Sequence, residues 1–232
     1  MDDPLVMLPG MMCDRRLFAA QQKAFEGKHQ IIIPDLHGTD DITALVRMMM
    51  PLLPQRFALA GLSMGGIVAM EIYRLHPDRV SRLALMDTNP FAETAERQMI
   101  RKSQLQRLAA GGLKEIMQHE MKPHYLAATA QQSQILELCM AMALDLGNDV
   151  FIQQSRMLAG RRDQTSTLRE INVPTLILYG EEDQLCPEER HLAMADLIDG
   201  AKLVKIKKAG HLPCLEQPAE TNIALRRWLE ET

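Results

Sequence analysis

No stretch of this 232-residue sequence approaches the roughly 18 uncharged apolar residues of a membrane span. Basic charge is not in excess either. Twenty-six Lys and Arg stand against 30 Asp and Glu, a net charge of −4, which argues against the concentrated basic face of a nucleic-acid or anionic-membrane binder. The four cysteines (Cys13, Cys139, Cys186, Cys214) show no CxxC spacing and no clustering with histidine, so neither a disulfide framework nor a structural metal site is read from them. There is no HExxH and no G-x-G-x-x-G, hence no expected metal and no expected dinucleotide cofactor. The opening MDDPLVMLPG is acidic and lacks the basic start of a secretory signal. Together with the cysteines, this makes a reducing cytoplasm the simplest expected setting. Internal repeats and low-complexity tracts are absent too.

What is present is a rhythm of short apolar runs: PLVMLPG (4–10), QIIIPDL (30–36), FALAGL (57–62), RLALMD (82–87), PTLILYG (174–180) and KLVKIKK (202–208). Most are continuous rather than alternating, as expected of strands buried on both faces of a parallel sheet. The last alternates with Lys205, Lys207 and Lys208, as an edge strand guarded by charge would. Helical patterns fall between them, at 15–26, 41–50, 64–76, 189–198 and 218–231, with Asp14 as an N-cap and Pro77 as a stop. The expected fold class is therefore α/β, a doubly wound, mostly parallel sheet of six strands. From Pro90 to Thr167 the rhythm breaks. Only helical patterns occur there, punctuated by Gly111, Gly112, Pro123, Gly147 and Gly160. We expect a core of residues 1–89 and 168–232 and a helical insertion, a lid, of about four helices over 90–167. Within it Ile135, Cys139, Met142 and Leu146 share a helical face, while Leu138 and Leu144 lie off that stripe, which predicts packing on both sides. Seventeen methionines read first as flexible core filler and second as an adaptable wall for an apolar substrate.

One joint between strand and helix stands out. Gly61-Leu62-Ser63-Met64-Gly65 has the G-x-S-x-G form of a nucleophile elbow, follows an apolar strand and opens a helix. Small residues at minus two and plus two allow a turn tight enough to expose the serine hydroxyl above a helix N-terminus. Such a serine needs a base. Of seven histidines, His211 is best placed, between the last strand and the C-terminal helix, at the same sheet edge as Ser63. The base needs a carboxylate. Asp183, in YGEEDQLCP after the fifth strand, completes the order Ser, Asp, His, with Asp87 at the end of the fourth strand as its competitor.

These residues resemble the α/β-hydrolase superfamily over essentially the whole chain, and more narrowly its small, lidded esterase and lactonase-like members. The resemblance implies that the backbone N–H groups of Met11 and Met64 form an oxyanion hole, with Met12 as an alternative to Met11 because Pro9 stands where the family commonly has histidine. Two departures matter. The antiparallel strand pair that commonly begins the family's sheet is missing, so six strands are expected. The loop HGTDDI is also short, which would open or reshape one wall of the pocket.

The expected chemistry is hydrolysis of a carboxylic ester or thioester of a small to medium apolar acyl group. Lactone or C–C bond hydrolysis, acyl transfer to an alcohol, and a non-catalytic ligand-binding role stay open. The insertion carries a local excess of basic residues, of which Arg97, Arg101, Lys102 and Arg107 share its first predicted helix. A solvated helix face is the ordinary explanation; a docking patch for an acidic acyl carrier, or a site for an anionic substrate, is the sharper one.

Overall fold

The computed structural model describes residues 3–108, 111–121, 124–128 and 131–230; Pro123 lies outside them. In chain order the elements are β1 (Leu5–Leu8), α1 (Ala19–Phe25), β2 (Ile31–Ile32), α2 (Ile42–Met49), β3 (Phe57–Leu62), α3 (Met64–Leu75), β4 (Val80–Met86), α4 (Ala95–Leu108), α5 (Leu113–Ile116), α6 (Gln132–Ala159), α7 (Thr165–Arg169), β5 (Thr175–Gly180), α8 (Glu188–Leu197), β6 (Lys202–Ile206), α9 (Pro213–Glu216) and α10 (Pro218–Glu230). A π-helical turn, Met117–Met121, follows α5. No helix among the described residues is long and apolar enough to cross a membrane.

The six strands form one sheet in the order β2-β1-β3-β4-β5-β6, and every pairing is parallel. Strands β1, β3 and β5 are buried along their whole length, which accounts for their uninterrupted apolar sequences. The edges differ. Strand β2 pairs over two residues only, because Pro34 has no N–H to offer and the apolar run cannot continue the ladder. Strand β6 exposes Lys202 and Leu203. Helix α1 packs with α10, whereas α2 packs on α3, α3 on α7 and α7 on α8. Right-handed crossovers put these two groups on opposite faces of the sheet. The chain runs from β1 outward to β2, then returns past β1 to β3 and proceeds to β6. Strand order thus reverses between β1 and β3, where open α/β sheets leave a crevice at the carboxyl ends of their strands.

Asp14 caps a short 3-10 turn by accepting the Arg16 N–H at 2.9 Å. Helix α6 is broken at Gly147, whose φ of 78° suits glycine alone. Ile135, Cys139 and Met142 are buried as the stripe predicts, and Leu138 packs against the core. Leu144 does not bury a second side; it is 46% exposed. The boundary expected at 167 falls inside α7.

A buried carboxylate ties together the helices on one face of the sheet. Glu71 on α3 accepts hydrogen bonds from Thr43 on α2, from Arg74 at 2.8 and 2.7 Å, and from Gln164 at 2.8 Å. Burial alone would raise its pKa, but these donors outweigh it and hold the group at about 2. Folding therefore gains from this carboxylate above its ordinary value of 4.5, and the gain is lost as pH falls from there towards 2. In urea titrations, Glu71→Gln is expected to cost about 1.5–3 kcal/mol at pH 7 and to flatten the loss of stability between pH 4.5 and 2. Parallel acid profiles for the two proteins would contradict this account.

Candidate active site

Strands β1, β3, β4 and β5 all end at the same rim. Leu8 pairs with Gly61, Leu62 with Met86, and Met86 with Leu178, so the residues following each strand meet there. Backbone strain gathers at this rim. Met12, Ser63 and Asp87 have φ of 56°, 55° and 43°, a region that costs a non-glycine residue about 1–3 kcal/mol.

The elbow is built by close backbone approach. A Cβ on Gly61 would lie 2.3 Å from the Gly65 carbonyl oxygen, one on Gly65 2.1 Å from that of Leu8, and one on Gly66 2.6 Å from the Thr88 methyl. The Ser63 N–H donates to the Met86 carbonyl at 2.9 Å, and the Thr88 hydroxyl donates to the Ser63 carbonyl at 2.8 Å. Ser63 is held at the mouth of α3, while its hydroxyl stays clear of backbone capping.

The structure brings the three predicted side chains together. Ser63 Oγ lies 2.8 Å from His211 Nε2, and His211 Nδ1 lies 2.8 Å from Asp183 Oδ2. Asp183 and His211 are buried. Asp183 Oδ1 also accepts the N–H groups of Leu185 at 2.8 Å and Cys186 at 3.0 Å. Burial would raise the Asp183 pKa, yet His211 and these donors lower it, so the group is ionised.

Asp87 makes no hydrogen bond to His211. Its Oδ1 accepts the Gly180 N–H at 2.9 Å, and its carboxyl lies within 4.8 Å of Asp183 and of His191. Burial, and then the Asp183 charge, push the Asp87 pKa well up, so this carboxyl keeps its proton. His191, stacked on Tyr179 at 4.5 Å, has its pKa lowered by burial to about 4 and is neutral. Two trios, Asp183 with Cys186 and His211, and Asp87 with Asp183 and His191, are each close enough to bind a metal ion, but both Asp183 oxygens are already committed to His211 and to backbone N–H groups.

Met11 and Met64 line a cavity of about 370 Å³ together with Ser63 and His211. Met64 opens α3, so its N–H belongs to the first turn, where no intrahelical acceptor exists. The alternative, Met12, has its N–H spent on Gln154 Oε1 at 2.8 Å, and Gln154 Nε2 donates onward to the Leu36 carbonyl at 3.0 Å. The short loop at 37–41 does not line this cavity. It is tied instead to α6, where the Gly38 N–H donates to Gln153 at 2.7 Å.

Several contributors had no signal in the sequence. Gln154 is one, since a lone glutamine in a helix does not say where its amide points. Another is Glu216, whose carboxylate accepts the N–H groups of Ala127, Gly210 and Leu212 at 2.7, 2.9 and 3.2 Å and so holds the turn that carries His211. The Tyr125 carbonyl accepts the His211 N–H at 2.7 Å. The basic run on α4 is not one solvated face. Arg101 turns inward to Glu93, and Arg107 pairs with Glu120.

Residues 5–224 match the model of the Alpha/beta hydrolase family. The chain is 25% identical to a pimeloyl-[acyl-carrier protein] methyl ester esterase of Legionella pneumophila, over 91% of this chain and 89% of that protein. It is 22% identical to the biotin biosynthesis bifunctional protein BioHC of Teredinibacter turnerae, of whose length it spans only 44% while 98% of this chain is matched. Among solved structures it resembles a thermophilic esterase from Thermogutta terrifontis, bound to malate, with a TM-score of 0.91, 30% identity, and coverage of 97% of this chain and 89% of that one.

The elbow yields a direct test. Gly65→Ala forces a Cβ against the backbone of β1 and is expected to cost about 3 kcal/mol or more in urea unfolding, the upper end of overpacking effects. Gly160→Ala, where the nearest atom would be 3.5 Å away, is expected to stay within about 1 kcal/mol of the parent. Equal effects of the two would show that the turn is not closed by this contact.

Proposed function

The chain belongs to the α/β-hydrolase family, and from that premise we propose that it is a serine esterase acting through Ser63, His211 and Asp183. The reading rests on one observation, the unbroken relay of 2.8 Å contacts from the Ser63 hydroxyl through the His211 ring to the Asp183 carboxylate.

The hydroxyl oxygen attacks the ester carbonyl carbon as His211 Nε2 takes its proton. The carbonyl oxygen becomes an oxyanion, stabilised by the N–H groups of Met11 and Met64. Each such donor is worth about 2.7–4 kcal/mol in the transition state. As the carbon–oxygen bond to the alcohol breaks, His211 returns the proton to the leaving oxygen and Ser63 carries the acyl group. Water then attacks the acyl carbon as it gives a proton to His211, and as the bond from that carbon to the Ser63 oxygen breaks His211 returns the proton to the serine, releasing the acid. Asp183 holds the ring with Nε2 facing serine and balances the imidazolium charge. No metal or dinucleotide takes part in this scheme. Residues 90–167 act as a lid that closes the cavity over the strand ends.

Apolar side chains of Met11, Leu62, Met64, Ile67, Leu158 and Leu212 line the cavity, which suits a small to medium acyl chain. Pimeloyl-[acyl-carrier protein] methyl ester esterase is the name of one relative, but an acyl-carrier partner at the lid has less support here, because two of the four basic residues of α4, Arg101 and Arg107, are already paired with Glu93 and Glu120. Lactone opening would use the same atoms.

A fluorophosphonate probe is expected to label the wild-type protein at Ser63, to leave Ser63→Ala unlabelled, and to react only slowly with His211→Ala. In a nitrophenyl ester assay, Asp183→Asn is expected to lower kcat by about 10⁴-fold, whereas Asp87→Asn, which replaces an already neutral carboxyl, is expected to stay within about tenfold. The reverse order would exchange the roles of the two aspartates. Absence of labelling in folded wild-type protein would leave a ligand-binding protein as the better reading.

A further inference from the structure

The wall of the cavity beside Met11 holds more positive charge than its own ion pairs require. Glu93, with 3% of its side chain exposed, accepts the Arg101 Nε hydrogen at 2.8 Å and pairs with both Arg161 terminal nitrogens at 3.1 and 3.0 Å. Arg161 and Arg101 are themselves only 9% and 14% exposed. One carboxylate thus faces two guanidinium groups in a nearly closed site. Arg161 is further satisfied by the Phe91 carbonyl at 2.9 Å. Arg101 is not. Among the described residues its Nη1 meets only the Met11 sulfur, at 3.6 Å, a weak acceptor, and no acceptor takes the Nη2 hydrogens.

Burial pulls the pKa of both arginines below the ordinary value, opposed by Glu93 and reinforced by the neighbouring cations. A desolvated cation without a full partner is costly. If this cluster were only a staple between the strand ends and the insertion, one arginine on Glu93 would suffice. The other ionised groups on the same lining do not cancel the surplus. Arg97 and Arg190, the latter packed over Phe91 at 5.4 Å, share the lining with a single further acid, Glu96, and Glu120 is already paired with Arg107.

We propose that Arg101, held by Glu93 beside Arg161, binds a carboxylate that the substrate carries in addition to its ester, so that the preferred substrates are monoesters of short dicarboxylic acids. This specifies the acyl group and rests on the esterase reading given above. The methylenes of the chain lie on the apolar lining, and the terminal carboxylate takes the unused guanidinium hydrogens in the planar, forked geometry arginine offers. The connection through Met11 suits a short chain. The Met11 backbone N–H serves the oxyanion while the sulfur of the same side chain touches Arg101, so the two ends of the substrate are separated by one methionine side chain and one contact.

The test compares mono-4-nitrophenyl glutarate with 4-nitrophenyl pentanoate, which differ by a terminal carboxylate against a methyl. Wild-type kcat/KM is expected to favour the glutarate by at least tenfold, and Arg101→Gln to lower that ratio by at least tenfold. If this variant does not fold, Arg101→Lys, which keeps the ion pair but loses the fork, is expected to lower the ratio in the same direction. Calorimetry on Ser63→Ala supplies an arm that needs no turnover: glutarate is expected to bind, pentanoate to bind at least tenfold more weakly, and the added Arg101→Gln change to abolish the difference. Cleavage of both esters at similar rates, with no glutarate binding, would overturn the anion site and leave the esterase reading intact. Cleavage of neither ester, with glutarate bound through Arg101, would overturn the esterase reading and leave the anion site standing.

Discussion

The architecture depends on how closely three backbones pass at the end of β3. Gly61 and Gly65 let the strand turn into α3 with carbonyl oxygens where a Cβ would have to sit, and the turn is closed against β1 on one side and β4 on the other. Because both neighbours are sheet strands in fixed register, the turn cannot relax sideways. Ser63 is left in a conformation few non-glycine residues adopt, its hydroxyl projecting from the rim where the strand order reverses. The strain is local, and the hydrogen bonds of the Ser63 backbone to Met86 and Thr88 offset it.

Around this point the electrostatics separate two aspartates of similar address. Both follow strands, both are buried, and they are within 4.8 Å of each other. Two adjacent carboxylates cannot both ionise at low cost. Asp183 takes the charge because the Leu185 and Cys186 N–H groups and His211 all point at it, and Asp87, with only the Gly180 N–H, keeps its proton. The inserted segment completes the site. Gln154 of α6 occupies the Met12 N–H, leaving Met11 to face the cavity, and Tyr125 fixes the backbone of His211. Positive charge from the same segment, centred on Arg101 and Arg161, adds a polar wall beside the apolar side chains of Met11, Leu62, Ile67 and Leu212.

Much of this was legible before any coordinates, and the parts that were not share a cause. Continuous apolar runs mark the inner strands because burial on both faces leaves no room for alternation, and the lysine-alternated run marks β6 as an edge. Their lengths were overestimated where hydrogen bonding rather than hydropathy ends a strand, as at Pro34. The G-x-S-x-G turn announced itself because its glycines are demanded by contacts within one short segment and its flanks. The apolar surroundings of Leu144 in the sequence predict burial, yet among the described residues its side chain is left exposed. The basic residues of α4 looked like a surface stripe, but Arg101 found its partner in Glu93, a residue whose orientation depends on where the linker to the insertion runs.

The order of strands and helices along the chain, the elbow, and the arrival of Ser63, His211 and a carboxylate at one rim follow from the sequence itself, because apolar runs, local steric demand and position after a strand encode them. Tertiary structure alone decided which aspartate carries the charge, that Gln154 occupies the Met12 N–H, and that two arginines share one carboxylate. Those outcomes are set by distances between segments far apart in the chain, and no local pattern records such distances.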